Sequence, residues 1–312
     1  MMSKQANDIP LPERRTDRPV TIMHRIELGL VLILSGFFKI LGLDGASFVS
    51  GKFLRVVGPL IRPVSKRAEN NLRKAFPDWS DDQIYATTKN IWENLGRTAA
   101  EFTHLEQLKP NLPNGRVTIT GKEKLDRLVT HGHSAIFFSG HFANWEVIPT
   151  AFESLGVDQS FVYRAANNPL TDEYIINRRG RVMSRYQIPK GKRGSRALLE
   201  TLNENRSLLM LTDQKLNSGI SVPFMGIPAM TLNAAARLAL KYKIPLAPVS
   251  IERLNGARFN IQFHDPLAFA PSGDLNKDIY DLTALMNLAI EKDIRARPGQ
   301  WLWFHRRWPK DV

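Results

Sequence analysis

The sequence predicts an α/β fold: a layered domain with a mostly parallel central sheet, preceded by an N-terminal membrane-associated helical region. From residue 117 onward, short β-rich runs alternate with helical stretches, as in a sheet covered by helices on its faces. Ahead of it, Ser80-Asp81-Asp82-Gln83 has the spacing of a capping box and opens a long amphipathic pattern. Earlier still, residues 26–61 are strongly apolar and carry scattered cations.

The elements follow in order. A basic, proline-containing lead with Arg14, Arg15, Arg18 and Arg25 occupies residues 1–25. Leu28 to Phe38 is then uncharged and apolar, and Ile40 to Leu43 continues it past Lys39. A membrane span needs about 20 apolar residues, so this stretch is short. No small-residue cleavage site follows promptly, and a second apolar and basic stretch, Phe53 to Ile61 and then Arg62, Lys66 and Arg67, argues against a signal peptide. The region reads as a short anchor or as a helix lying in the interface with its cations at the headgroups. A buried core helix is the plainer alternative. The organisation expected is a lead over 1–25, a membrane-associated region over 26–67 and an α/β domain over 68–312.

Pro77 closes one helix, and Ile84, Ile91, Leu95, Ala99 and Phe102 recur at helical intervals, predicting a helix over 81–103. Strands are predicted at Val117–Thr120, Ala135–Ser139, Gln159–Tyr163, Leu208–Leu211, Leu246–Ile251 and Phe259–Phe263. A last helical pattern over 276–296 ends at Pro298-Gly299 and leaves a tail rich in tryptophan and arginine, Trp301 to Trp308. Such a tail either anchors at an interface or packs onto the domain.

With 312 residues, 43% of them apolar, the chain can build a substantial core. A formal charge of +13 calls for an anionic counterpart: phospholipid, a phosphorylated substrate, an acidic carrier protein or nucleic acid. Zero cysteines exclude disulfides, thiolate metal sites and a cysteine nucleophile.

Gly140-His141-Phe142-Ala143-Asn144-Trp145-Glu146 follows the strand ending at Ser139, so the imidazole stands at the carboxyl end of a sheet strand, where open α/β sheets place their sites. On a regular helix, His141 and Glu146 would diverge by about 140°, so a turn must intervene for them to meet. Asn144 is a good N-cap, which puts His141 in the turn and Glu146 in the first turn of the following helix. There the Glu146 carboxylate is expected to orient the ring, and His141 to act as general base toward a hydroxyl. Ser139 precedes the turn and is expected to point back into the strand, which favours direct transfer over an acyl-serine intermediate.

The pair resembles the H-x4-D/E motif of the glycerolipid acyltransferase superfamily. Asn71-Leu72 with Phe76-Pro77, Ser139 to Glu146, Tyr163-Arg164 with Asn168-Pro169-Leu170, Asp213-Gln214, Pro223 to Ala229 and Trp303 to Arg307 narrow the likeness to the lipid A late acyltransferases, the lauroyl/myristoyl transferases of Gram-negative bacteria. The resemblance covers most of the chain. It implies transfer of a fatty acyl chain from an acyl carrier protein thioester to a hydroxyl of a Kdo-bearing lipid A precursor, at the cytoplasmic face of the inner membrane and in contact with its lipids. It implies no metal and no other cofactor. The substrate-binding residues it suggests are Arg164, Arg181, Asp213 and Asn144, although Arg178, Arg179 and Arg181 crowd one step of the chain. Lys190, Lys192, Arg193 and Arg196 could dock an acidic carrier.

Rival readings remain at this level. Gly191-Lys192-Arg193-Gly194 matches the G-x-x-G of KH domains, though the apolar N-terminus gives no reason to expect nucleic acid. His131 and His133 lie near His141 in the chain, but no H-E-x-x-H accompanies them. A membrane scaffold without activity is a third class. Another glycolipid or a lysophospholipid is the alternative acceptor, although the N-P-E-G-T-R type block of the glycerophosphate branch is missing.

Overall fold

Thr21 starts the first helix: its hydroxyl accepts from the His24 amide at 3.2 Å, and its own amide donates to His24 Nδ1 at 3.2 Å. The computed structural model describes residues 19–129 and 133–309, so most of the basic lead, and His131, lie outside the described residues. Helix α1 spans Ile22–Val57 and breaks at Gly42, whose φ of 66° only glycine adopts without strain. It is long and apolar enough to cross a membrane by length and composition, which corrects the expectation of a short stretch. Much of its apolar surface faces outward, Ile33 at 72% and Ile40 at 86% exposure.

The inward stripe of α1 is small, with Ala46, Ser47, Ser50 and Gly51 buried against α3 (Asp81–Glu101). The two backbones approach so closely that a Cβ on Gly96 would lie 2.4 Å from the Ser50 carbonyl oxygen. A short helix, α2 (Arg62–Ala75), runs through the expected boundary at 67/68, and its Ala68 and Leu72 belong to the same core as the sheet. The capping box of α3 forms as the spacing requires, Ser80 Oγ accepting from Gln83 N at 3.3 Å and Gln83 Oε1 accepting from Ser80 N at 2.9 Å.

Beyond α3 the chain alternates: β1 (Val117–Thr120), α4 (Lys122–Val129), β2 (Ile136–Ser139), α5 (Ile148–Ser154), β3 (Gln159–Tyr163), α6 (Pro169–Arg179), β4 (Gln187–Pro189), α7 (Lys192–Asn203) and β5 (Ser207–Leu211). Then follow β6 (Lys215–Phe224), β7 (Ile227–Thr231), α8 (Ala234–Tyr242), β8 (Leu246–Arg253), β9 (Phe259–Phe263) and α9 (Leu275–Ala296). Among the described residues the main sheet has seven strands in the order β1-β9-β8-β2-β5-β3-β4, parallel except where β8 meets β9. The predicted α/β class and mostly parallel sheet hold, because the central strands are apolar at most positions and buried on both faces.

The strand β4 and the hairpin β6–β7 were not predicted. The Pro223–Pro228 stretch is the tip of that hairpin: Pro223 pairs with Pro228, and Phe224 with Ile227 around a two-residue turn. Its residues, Met225 and Gly226, both have positive φ, 53° and 78°, as a type I′ turn demands.

Candidate active site

The parallel register between β2 and β5 pairs Ser139 with Leu211, so residues two steps further along each strand leave the sheet at the same level. Those residues are His141 and Asp213. Gly140 precedes the histidine because nothing larger fits: a Cβ there would stand 2.8 Å from the Phe142 ring and 3.2 Å from Asp213 Oδ2. The turn then passes through Ala143 at a φ of 45°, uncommon for an L-residue. Helix α3 supports that conformation through the Ala143 carbonyl, which accepts from Asn94 Nδ2 at 3.0 Å and Thr98 Oγ1 at 2.7 Å.

His141 Nδ1 meets Asp213 Oδ1 at 2.7 Å, and the His141 amide donates to Asp213 Oδ2 at 2.8 Å. Burial alone would raise the Asp213 pKa, but the electrostatic pull of His141 and these hydrogen bonds overcome it and hold the carboxyl well below its usual range. An ionised carboxylate can only accept, so Nδ1 carries the proton and Nε2 presents its lone pair. Nε2 lies 3.4 Å from the Gln214 side-chain amide.

Glu146 does not make the contact expected of it. Its carboxylate accepts from Arg179 Nε at 2.7 Å, from Arg179 Nη2, and from the Trp145 indole at 3.1 Å. Trp145 stands between the two groups, its ring 5.1 Å from that of His141. The carboxylate that orients the ring is therefore Asp213, 72 residues further along the chain. Arg179 is buried, lies over Phe161 and Tyr163, and keeps a buried Nη1 without a hydrogen-bond partner.

Asn144 caps the turn as predicted, accepting from the Glu146 amide at 3.2 Å, while its Nδ2 donates to Glu101 Oε2 at 2.9 Å. With both ends of its amide engaged and the residue wholly buried, it serves the turn instead of facing a substrate as expected. Asp213, also wholly buried, acts on His141 and is not placed to touch a substrate directly. The exposed Arg164 follows β3 and Lys190 follows β4, level with each other because Tyr163 pairs with Pro189. Desolvation lowers the Lys190 pKa, the nearby Asp213 charge opposes this and Arg164 adds to it, so the basic pair lies near the dyad. Arg181 lies beyond α6 and lines a separate cavity against α1. Ser139 Oγ is buried without a hydrogen-bond partner, so no base activates it.

A profile of the bacterial lipid A biosynthesis acyltransferases matches residues 16–310. The chain belongs to this family. Similar proteins include a lipid A biosynthesis acyltransferase of Haemophilus influenzae, 22% identical over 82% of this chain and 79% of its own length. A lipid A biosynthesis palmitoleoyltransferase of Escherichia coli is 24% identical over 80% of this chain and 82% of its own length. The crystal structure of the 1-acyl-sn-glycerophosphate acyltransferase from Thermotoga maritima aligns with 92% of this chain and 100% of that one at a TM-score of 0.36 and 14% identity, too slight a likeness to carry any detail.

The C-terminal tail of this acyltransferase clasps the active turn. Leu302 N donates to the His141 carbonyl at 3.0 Å, Ala143 N donates to the Gln300 carbonyl at 2.9 Å, and Trp301 Nε1 donates to Asp213 Oδ2 at 2.8 Å. Trp301 and Trp303 are fully buried, so of the two uses open to the tail it takes packing. Trp301 was not singled out by sequence, since its partner in the strand-end cluster is far away in the chain. Gly194 of the G-x-x-G element is likewise explained by packing, because a Cβ there would stand 1.8 Å from the Pro189 carbonyl oxygen.

Proposed function

We propose that this chain transfers a fatty acyl chain from an acyl carrier protein thioester to a hydroxyl of a Kdo-bearing lipid A precursor, at the cytoplasmic face of the inner membrane. Family membership, the relatives' names and the exposed apolar helix support that setting. The observation that carries the chemistry is the 2.7 Å contact from Asp213 to His141 Nδ1, which leaves Nε2 as a base. Nε2 takes the acceptor's hydroxyl proton while the oxygen attacks the thioester carbon. The C–S bond then breaks, and the imidazolium returns the proton to the departing thiolate. Asp213 stabilises the imidazolium in between.

Glu146 enters this reading through Arg179. The carboxylate holds the guanidinium in one orientation and, by accepting from the Trp145 indole, steadies the ring that stands beside His141. Arg164, with Lys190 beside it, supplies positive charge for the phosphate of the donor arm or acceptor, and the Trp145 face adds an apolar wall. The region N-terminal to α2 attaches to the membrane, and the remainder forms the catalytic domain.

The test incubates membranes bearing the protein with acyl carrier protein thioesters, coenzyme A thioesters and a Kdo-bearing lipid A precursor, and weighs the lipid product. An increase by one acyl chain, dependent on the carrier protein thioester, is expected. Transfer only from coenzyme A, or only to a lysophospholipid, would replace the donor or the acceptor.

A further inference from the structure

Helix α6 also borders a cavity that Glu146 and Arg179 do not line. Helices α1 and α6 are tied together at two levels: Asn168 Nδ2 donates to the His24 carbonyl at 2.9 Å and to Glu27 at 2.8 Å, and Tyr174 donates to Ser35 Oγ at 3.0 Å. Between these helices and the start of the following loop opens a cavity of about 340 Å³. Lys39 comes from α1, Asn177 and Arg178 from α6, and Arg181 from just past it; no carboxylate lines the cavity among the described residues.

Its chemistry is that of an anion site. Arg178 is about nine-tenths buried, with one nitrogen donating to the Thr103 carbonyl and to Glu106, which fixes the guanidinium in place. Its Nε is buried and has no hydrogen-bond partner, an unmet N–H on a side chain that forms the cavity wall. Lys39 and Arg181 are exposed and add two cations at the rim. The rim is also where α1 turns its apolar side outward, with Leu32, Ile33 and Phe37 at 46–72% exposure. A ligand satisfying all of these is one whose phosphate enters among the three cations while its hydrocarbon lies along α1.

We infer that the α1–α6 cavity binds the phosphate of a lipid. Two lipids of that chemistry are available to such a site, a phosphorylated acyl-sugar acceptor and a bulk anionic phospholipid. Arg178 and Arg179 are neighbours on α6, so an occupied cavity also steadies the helix that carries the Arg179 partner of Glu146. The binding step can be read without turnover, which separates it from the acyl-transfer reading.

The full chain in neutral detergent micelles is titrated with a phosphorylated acyl-glucosamine, the same lipid dephosphorylated, phosphatidylglycerol and diacylglycerol. Lys39→Ala/Arg181→Ala and Arg181→Glu are compared with the wild type after their melting curves have shown an intact fold. Both positions are exposed, so unaltered melting is expected. Affinity for the phosphorylated probes is expected to fall roughly tenfold or more in the variants, and for the neutral probes not at all. Stronger retention of the phosphorylated acyl-sugar identifies the acceptor as occupant, and stronger retention of phosphatidylglycerol identifies bulk lipid. Equal affinities of wild type and variants for both phosphorylated lipids would overturn the inference, whatever the enzyme does in a transfer assay.

Discussion

A carboxylate sealed from water is expected to take up a proton unless the protein supplies the hydrogen bonds that water no longer does. Asp213 receives three, from His141 N, His141 Nδ1 and Trp301 Nε1 at 2.7–2.8 Å, and remains a strong acceptor. Glu146 solves the same problem with a bidentate arginine. Breaking that second pair from one side leaves a buried charge uncompensated, so Arg179→Met is expected to cost about 3–5 kcal/mol, read as a lowered urea midpoint. Replacing both partners, as in Glu146→Gln/Arg179→Met, should recover part of that loss while leaving transfer impaired. The sequence made His141, Asn144 and the need for a turn legible, because strand, glycine and cap are neighbours in the chain. It assigned the orienting role to Glu146 for the same reason, nearness. Asp213 reaches the ring only because β2 and β5 are adjacent and in register, which no local pattern encodes.

At the scale of elements, the tail after α9 decides how the active turn is held. Arg307 fixes it to the β6–β7 hairpin, donating to the Met230 carbonyl at 3.1 Å and to Thr231 Oγ1 at 2.8 Å while lying 4.1 Å over the Phe224 ring. His305 sits inside the same fold of chain: its Nδ1 donates to the Leu302 carbonyl at 2.7 Å, and its ring meets Trp301 edge-on. Burial pushes its pKa down to about 4 from 6.5; the Asp213 charge opposes this and His141 adds to it. Between those values the unfolded chain binds a proton that the folded ring refuses, so stability rises with pH across that window and its contribution is lost as pH falls. The difference amounts to up to about 3 kcal/mol. His305→Asn keeps a donor for Leu302 and removes the titration; denaturant unfolding between pH 4.5 and 7 should show a shallower slope than wild type. The buried strands were legible as apolar runs between turn signals, and α3 and α9 as long periodic patterns. The hairpin escaped because little of β6 is buried and two prolines stand near its turn.

Across the whole molecule, the His141 turn is wired to the apolar helix through buried polar groups. Glu101 of α3 accepts from Ser47 of α1 at 2.7 Å, from Asn144 of the turn at 2.9 Å and from Arg253 of β8 at 3.0 Å. Such a network is costly when only partly satisfied, so it fixes α1, the sheet and the turn in one arrangement. It joins the apolar helix to His141, which stands at the carboxyl end of the central strand β2. The proposed mechanism has a histidine and an aspartate acting together, and a double-mutant cycle on the acyl-transfer rate tests this most directly. His141→Ala and Asp213→Asn should each lower kcat by roughly 10³-fold or more, and the double variant should lose no more than the worse of the two. A His141→Ala enzyme working near the wild-type rate, or losses that multiply in the double variant, would contradict the account.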